Sequence, residues 1–206
     1  SGVNGVPGHD TGDPEPGNSA VLPPGETLIA SPPVDLRPPA HERGIDPSIV
    51  HGTTAAAAAA SLTGLQNYRF GKATTLPFPY AHGGDDVPAS VLETVDANRE
   101  RGLHTLCFLD IKVGHERAET DEHMTASTAA SLLTEAGRGD DLGAVVARAG
   151  SPDPVVVADR LTALAEREVG DPLHLLVLPG GLHHIERDAL VELADAPPAL
   201  ADERLA

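Results

Sequence analysis

Ten prolines and seven glycines stand among the first fifty residues, a third of that segment. Each proline fixes φ and removes a backbone donor, so no long helix or strand runs through such punctuation. Residues 1–18 are therefore expected to be a disordered tail. After them, 19–22 reads as a short strand and 34–43 as a helix, although Pro32, Pro33, Pro38 and Pro39 cut into that region and the last two fall inside the helix. Any sizeable core has to be built by the chain from Pro47 onward.

The material for that core is unusual. Aromatic residues number five, Tyr68, Phe70, Phe78, Tyr80 and Phe108, with no tryptophan, so alanine and valine must do most of the packing. The formal charge is −17, from 14 basic and 31 acidic residues, and only Lys72 and Lys112 are lysines. A nucleic-acid backbone demands a basic surface, which excludes it as a partner. An acidic, lysine-poor chain is either disordered or a folded domain kept soluble by its own charge, as in salt-adapted organisms. The apolar runs 103–111, 142–147, 155–158 and 174–178 have the length and branching of buried strands and decide for the folded domain. Cys107 is the single cysteine and sits inside one of these runs, so it reads as a buried structural thiol. No apolar stretch approaches the roughly 20 residues of a membrane span. The first residues lack a basic stretch followed by an apolar one. The expected location is the cytoplasm.

From residue 47 the signals become regular. Residues 48–51 read as a strand, and Thr54 can cap a helix running through the alanine tract 55–60 towards Tyr68. Residues 73–78 are a strand and 87–101 a helix with Val87, Val91, Leu92 and Val95 at helical spacing, closed by Gly102. A strand at 104–110 leads into a polar loop, and Thr125 opens a helix ending near Gly137. Strands 142–149 and 155–157 are joined by a turn too short for a crossover, so they should be antiparallel or diverge sharply. A helix at 158–169, a strand at 174–178 and a helix at 184–194 complete about five strands interleaved with helices. The expected class is α/β with a mixed sheet.

Familiar chemistry is hard to find. His115, Glu116, Asp121, Glu122 and His123 share one acidic loop, and His174, His183 and His184 gather near the C-terminus, but neither set has the spacing of a zinc site, and no metal is expected. Ser151, His174 and Asp110 make a triad only on paper, because no G-x-S-x-G surrounds any serine. The glycine-rich phosphate loops are absent. What remains is position: ligands of open α/β sheets settle at strand ends, and here those ends carry small residues such as Ala149-Gly150-Ser151 and Pro179-Gly180, which expose backbone groups to a bound molecule. A turn requires the same residues for its own reasons.

Five longer words carry a resemblance. These are Leu62-Thr63-Gly64-Leu65-Gln66-Asn67-Tyr68-Arg69-Phe70-Gly71-Lys72, Glu100 to Lys112, Met124-Thr125-Ala126, Ala147-Arg148-Ala149-Gly150-Ser151 and Gly170-Asp171-Pro172-Leu173-His174. Together, in order and spacing, they resemble the diphthine synthase family, from about Val34 to the C-terminus. The resemblance implies a tetrapyrrole-methylase-like fold of two α/β domains, a homodimer, and S-adenosylmethionine held between the domains. Residues 19–52 would be a remnant of the first α/β domain, which binds the donor, and 53–206 a second α/β domain with the mixed sheet. The implied reaction is successive methylation, to the trimethyl product, of the amino group on a modified histidine of translation elongation factor 2.

Carried over by position, the residues implied to touch the donor are Glu26 and Ile29 in the first domain, Thr54 and Ala55 in the linker, and Leu109, Ala149 and His174 in the second. No catalytic base is implied. The chain departs from the family pattern in several places: Gly25-Glu26-Thr27 replaces Gly-Asp-Pro, Ser31-Pro32-Pro33 replaces Thr-Thr-His, the first strand with its glycine-rich loop is not found, and the alanine tract after Thr54 is one residue longer than the usual spacing. Two alternatives follow, an inactive fragment that retains only the dimerising second domain, and a related methylase acting on a tetrapyrrole.

Overall fold

The computed structural model describes residues 38–44, 53–81, 83, 84, 86–112 and 122–206. The chain divides into two compact units, Ser1–Gly52 and Thr53–Ala206. In the first, residues 38–42 are helical (α1), with Pro38 and Pro39 included. The prolines expected to cut this helix are tolerated there; the Arg43 N–H donates to the carbonyls of Pro39 (3.3 Å) and Ala40 (3.1 Å), and Gly44 adopts φ +70°. The tail 1–18, the strands expected at 19–22 and 48–51, and Glu26 and Ile29 lie outside the described residues.

The second unit is built on five strands: β1 (Thr74–Leu76), β2 (Thr105–Leu109), β5 (Leu142–Ala147), β6 (Val155–Arg160) and β7 (His174–Leu178). Their order is β1-β2-β7-β5-β6, parallel between β1 and β2 and antiparallel elsewhere, which is the mixed sheet expected from the sequence. A two-stranded ribbon, β3 (Ile111–Lys112) with β4 (Glu122–His123), stands where a polar loop was expected.

Period-two alternation divides the strand side chains between two cores. Cys107, Leu109, Val145, Ala147, Leu176 and Leu178 point to one face, where α3 (Ala89–Glu100), α4 (Ala126–Leu133) and α5 (Leu161–Ala165) cover them. Leu106, Ala144, Val146, Leu175 and Val177 point to the other, under α2 (Ala55–Thr63), α6 (His184–Ala194) and α7 (Pro198–Asp202). Both faces of the three central strands are thus buried, which is why they read as continuous apolar runs. With few aromatics the layers close by approach rather than bulk. A Cβ on Gly180 would stand 2.4 Å from the Leu103 carbonyl oxygen, so only glycine admits that backbone.

Three expectations are corrected. The strand expected at 155–157 continues to Arg160, because all six residues of β6 pair with β5, from Ala147 opposite Val155 to Leu142 opposite Arg160. The helix expected from 158 to 169 is therefore the short α5. The alanine helix stops at Thr63, where Gly64 turns left-handed (φ 72°), and Asn67–Arg69 form a separate 3-10 turn. The strand expected to reach Ala149 ends at Ala147, since Arg148 adopts φ 53°. No expectation covered α7.

Candidate functional site

Strand register gathers one end of the sheet. Leu76, the last residue of β1, lies opposite Leu109, the last of β2. Phe108 faces Leu175 of antiparallel β7, so β7 begins with His174 beside Leu109. His174 in turn faces Ala147, the last residue of β5. The turn that follows, Arg148-Ala149-Gly150-Ser151, is closed by the Ser151 N–H on the Arg148 carbonyl (3.0 Å), with Arg148 and Gly150 both at positive φ (53° and 88°). For arginine that conformation costs on the order of 1 kcal/mol, and it leaves Ala149 exposed at the sheet end.

His174 is buried, and both its ring nitrogens are engaged. Nδ1 accepts the N–H of Ala126, the first residue of α4 (3.0 Å), and Nε2 donates to the Asp171 carbonyl (3.0 Å). This fixes the neutral Nε2–H tautomer, in agreement with burial, which pushes the imidazole below its ordinary pKa against the opposing hydrogen bonds. The ring satisfies a backbone donor that a helix N-terminus would otherwise leave free. It has no lone pair to offer a substrate, so it is not a general base. The same bonds dispose of the paper triad.

Asp110, next to Leu109, ties the neighbouring loops together. Its carboxylate accepts the Phe78 N–H (3.0 Å) and pairs with Lys112 (3.0 Å), its N–H donates to the Leu76 carbonyl (3.1 Å), and its carbonyl accepts the Met124 N–H (2.9 Å). From Met124 the chain enters Thr125, whose hydroxyl caps α4 by accepting the Thr128 N–H (3.1 Å). The rings of Phe78 and Tyr80 stack at 5.3 Å, and the Tyr80 hydroxyl donates to the Glu122 carboxylate. That bond, more than burial, pushes the phenol up to about 12.

Of the residues singled out from sequence, Leu109, Ala149 and His174 thus share one sheet end. Thr54 and Ala55 start α2 on the other face, where Thr54 accepts the Ala57 N–H (3.0 Å); among the described residues no hydrogen bond joins them to the other three. Cys107 is buried and its thiol is pushed up to about 12 by desolvation, which makes it inert. No group of three metal-ligating side chains occurs among the described residues.

Sequence reasoning missed the opposite end of the sheet. Glu186 is fully buried there and its carboxylate accepts four bonds: from the N–H of Gln66 (2.9 Å), the Nε2–H of His104 (3.0 Å), Arg69 (3.1 Å) and the N–H of His183 (2.9 Å). His104 Nδ1 accepts the Gly180 N–H (3.1 Å), and Arg69 also reaches the carbonyls of Gly102 and Gly181. Burial pushes the Glu186 carboxyl up, but the donors from His183, Gln66 and His104 together hold it below its usual range. His104 is lowered by burial despite Glu186. Arg69 and His104 lie within the words that carry the resemblance; nothing in the sequence pointed to Glu186.

A mixed sheet covered on both faces, with its loops and a backbone-engaged histidine gathered at one end, is the α/β architecture expected of a tetrapyrrole-methylase-like fold, which the solved structures below share. No protein-family model matches the chain. A diphthine synthase from Halorubrum lacusprofundi is 64% identical over 193 residues, which take in 92% of this chain and 72% of that protein. One from Natronomonas pharaonis is 60% identical over 201 residues, 96% of this chain and 75% of that protein. Among solved structures, a crystal structure of diphthine synthase matches with a TM-score of 0.74 and 34% identity, over 86% of this chain and 66% of its own. A putative diphthine synthase from Entamoeba histolytica gives 0.72 and 26%, over 84% and 69%.

The chain belongs to the diphthine synthase family, the S-adenosylmethionine-dependent methyltransferases of diphthamide biosynthesis. These matches do not favour the tetrapyrrole methylase or the inactive fragment. No described helix is long and apolar enough to cross a membrane.

Proposed function

We propose that this chain binds S-adenosylmethionine at the sheet end formed by Leu109, Ala149 and His174, with Thr54 and Ala55 contributing from the start of α2. It methylates the amino group of the modified histidine of elongation factor 2 to the trimethyl product, working as a homodimer in the cytoplasm. The observation that carries this reading is the register that sets Leu109 beside His174 and His174 opposite Ala147, in a chain 64% identical to a diphthine synthase.

The residues suit the donor. Its sulfonium is cationic, and the neutral tautomer of His174 sets no positive charge beside it. Ala149 is small, exposed and held in a tight turn, which leaves the strand-end backbone open to an adenosyl group. The donor supplies a methyl group on an excellent leaving group. The protein then needs to contribute chiefly in-line placement, and effective concentrations from placement alone can replace a strong base. This agrees with a site in which histidine positions a helix instead of taking a proton.

A ligand selective for the folded state stabilises it by RT ln(1 + [L]/Kd), about 2.7 kcal/mol at a hundredfold excess over Kd. Millimolar S-adenosylmethionine is expected to raise the melting temperature, and labelled methyl groups to appear on elongation factor 2 from the same source. An unchanged melting curve at that concentration refutes donor binding. A monomer in light scattering at high salt refutes the homodimer.

A further inference from the structure

The chain has five aromatic residues, and two of them, Phe78 and Tyr80, stack on one another at the Leu109 end of the sheet. Nothing in the donor site uses them. Their loop is fixed on both sides: the Phe78 N–H is held by Asp110, one residue beyond Leu109, and the Tyr80 hydroxyl is held by Glu122. From Glu122 the chain runs through Met124, bonded to the Asp110 carbonyl, to the helix start on His174. Phe78, Tyr80 and Glu122 therefore form a rim that links the two strand ends assigned to the donor.

The chemistry of that rim is distinctive. Phe78 is half-buried against the core, whereas Tyr80 is 40% exposed, so the ring stacked on the outside is the one offered to solvent. The two neighbouring carboxylates differ: Asp110 is paired with Lys112, while among the described residues no cation pairs with Glu122. A π face beside a carboxylate is the combination that recognises ammonium groups, quaternary ones above all.

We infer that Tyr80 and Glu122 form an acceptor-side subsite for the amine nitrogen, holding it as a cation between successive methyl transfers. This rests on the methyltransferase reading above. In each round the nitrogen lone pair forms a bond to the methyl carbon as the carbon–sulfur bond breaks, and the sulfur leaves as a neutral thioether. The acceptor arrives as an ammonium and loses one proton to water before each of the three attacks; after the third, the nitrogen is quaternary and permanently charged. A cation is thus present between every pair of transfers. A subsite that retains it favours completion to the trimethyl product over release of the mono- and dimethyl forms.

The test uses the whole chain at constant high potassium chloride and two small probes, choline and its uncharged carbon analogue 3,3-dimethylbutan-1-ol, followed by saturation-transfer NMR. The charged probe is expected to bind about five- to tenfold more tightly. Tyr80→Leu and Glu122→Gln are each expected to reduce that preference by at least about threefold, while Tyr80→Phe, which keeps the ring, retains most of it. Circular dichroism checks that each variant is folded. Equal binding of the two probes, or a preference untouched by Tyr80→Leu in a folded protein, overturns the subsite. Donor-induced thermal stabilisation, measured in parallel, separates the two ideas: stabilisation without cation preference removes the subsite alone, and cation preference without stabilisation removes the donor reading and, with it, the assignment of the cation site to the acceptor.

Discussion

Glu186→Gln replaces a buried carboxylate with a group of the same shape and half its acceptor capacity. The native side chain receives four donors, two on each oxygen: Gln66 and His104 on Oε1, Arg69 and His183 on Oε2. An amide presents one oxygen and one NH2, so whichever way it is turned, two donors face a donor. If the NH2 replaces Oε2, it meets the Arg69 guanidinium and the His183 N–H. If it replaces Oε1, it meets the Gln66 N–H and His104, and His104 cannot adapt by changing tautomer, because Nδ1 already accepts the Gly180 N–H.

Each buried unsatisfied donor costs about 1–3 kcal/mol, and removing one partner of a buried ion pair about 3–5 kcal/mol. These estimates overlap, and about 3–5 kcal/mol is the expected loss. At about 2–4 °C per kcal/mol for a domain of this size, the melting temperature should fall by roughly 6–20 °C. Thermal unfolding followed by circular dichroism, at fixed potassium chloride and pH 7.5, measures it. Because the network lies at the end of the sheet away from Leu109 and His174, donor affinity below the transition should be unchanged. A loss under about 1 kcal/mol would mean that water or relaxation satisfies those donors and that the network is not the clamp described.

Three further outcomes follow from the same geometry. Burial lowers the pKa of His104 and of His174 below the ordinary 6.5, so as the pH falls the unfolded chain takes up those protons first. Their contribution is complete above about pH 6.5 and is lost as the pH drops through the folded values; a melting temperature that stays flat or rises from pH 7.5 to 5 contradicts this. His174→Leu strands the Ala126 N–H and the Asp171 carbonyl and is expected to cost about 1–3 kcal/mol, with donor Kd raised about tenfold; unaltered calorimetric affinity would exclude His174 from the donor site. With a net charge of −17, folding and assembly should weaken below roughly 1 M salt, where the Debye length exceeds about 3 Å, and a salt titration with constant circular dichroism and constant size would refute it.

The central strands were legible because their burial is two-sided: Leu142–Ala147 and His174–Leu178 are apolar at every position but Gly143 and His174. The edge strand β6 was legible only at its start, since Asp159 and Arg160 at its end carry no strand signature and belong to it only through pairing with Gly143 and Leu142. Glu186 was illegible for a different reason. A glutamate at the third position of a helix reads as an exposed capping residue, and its burial depends on partners 82 to 120 residues away. Asp141 is similar: it holds Arg99 and Arg204 at 2.7 Å each, pairs that no local pattern announces.

The two ends of the sheet are held by different means, and that bears on why the proposed donor site carried so little chemical signature. At the Glu186 end, charge is buried and fully paired, a rigid arrangement in which each side chain's identity matters. At the Leu109 end, beside the Asp110–Lys112 pair, most of the ties hold main-chain groups: the Ala126 N–H on His174, the Met124 N–H on Asp110, the Ser151 N–H on Arg148. A site that must place a methyl group already attached to its leaving group gains more from fixed backbone than from reactive side chains. Its imprint on the sequence is therefore conformational, in a left-handed Arg148, a small Ala149 and a glycine after it, spread over separate short words instead of concentrated in a triad.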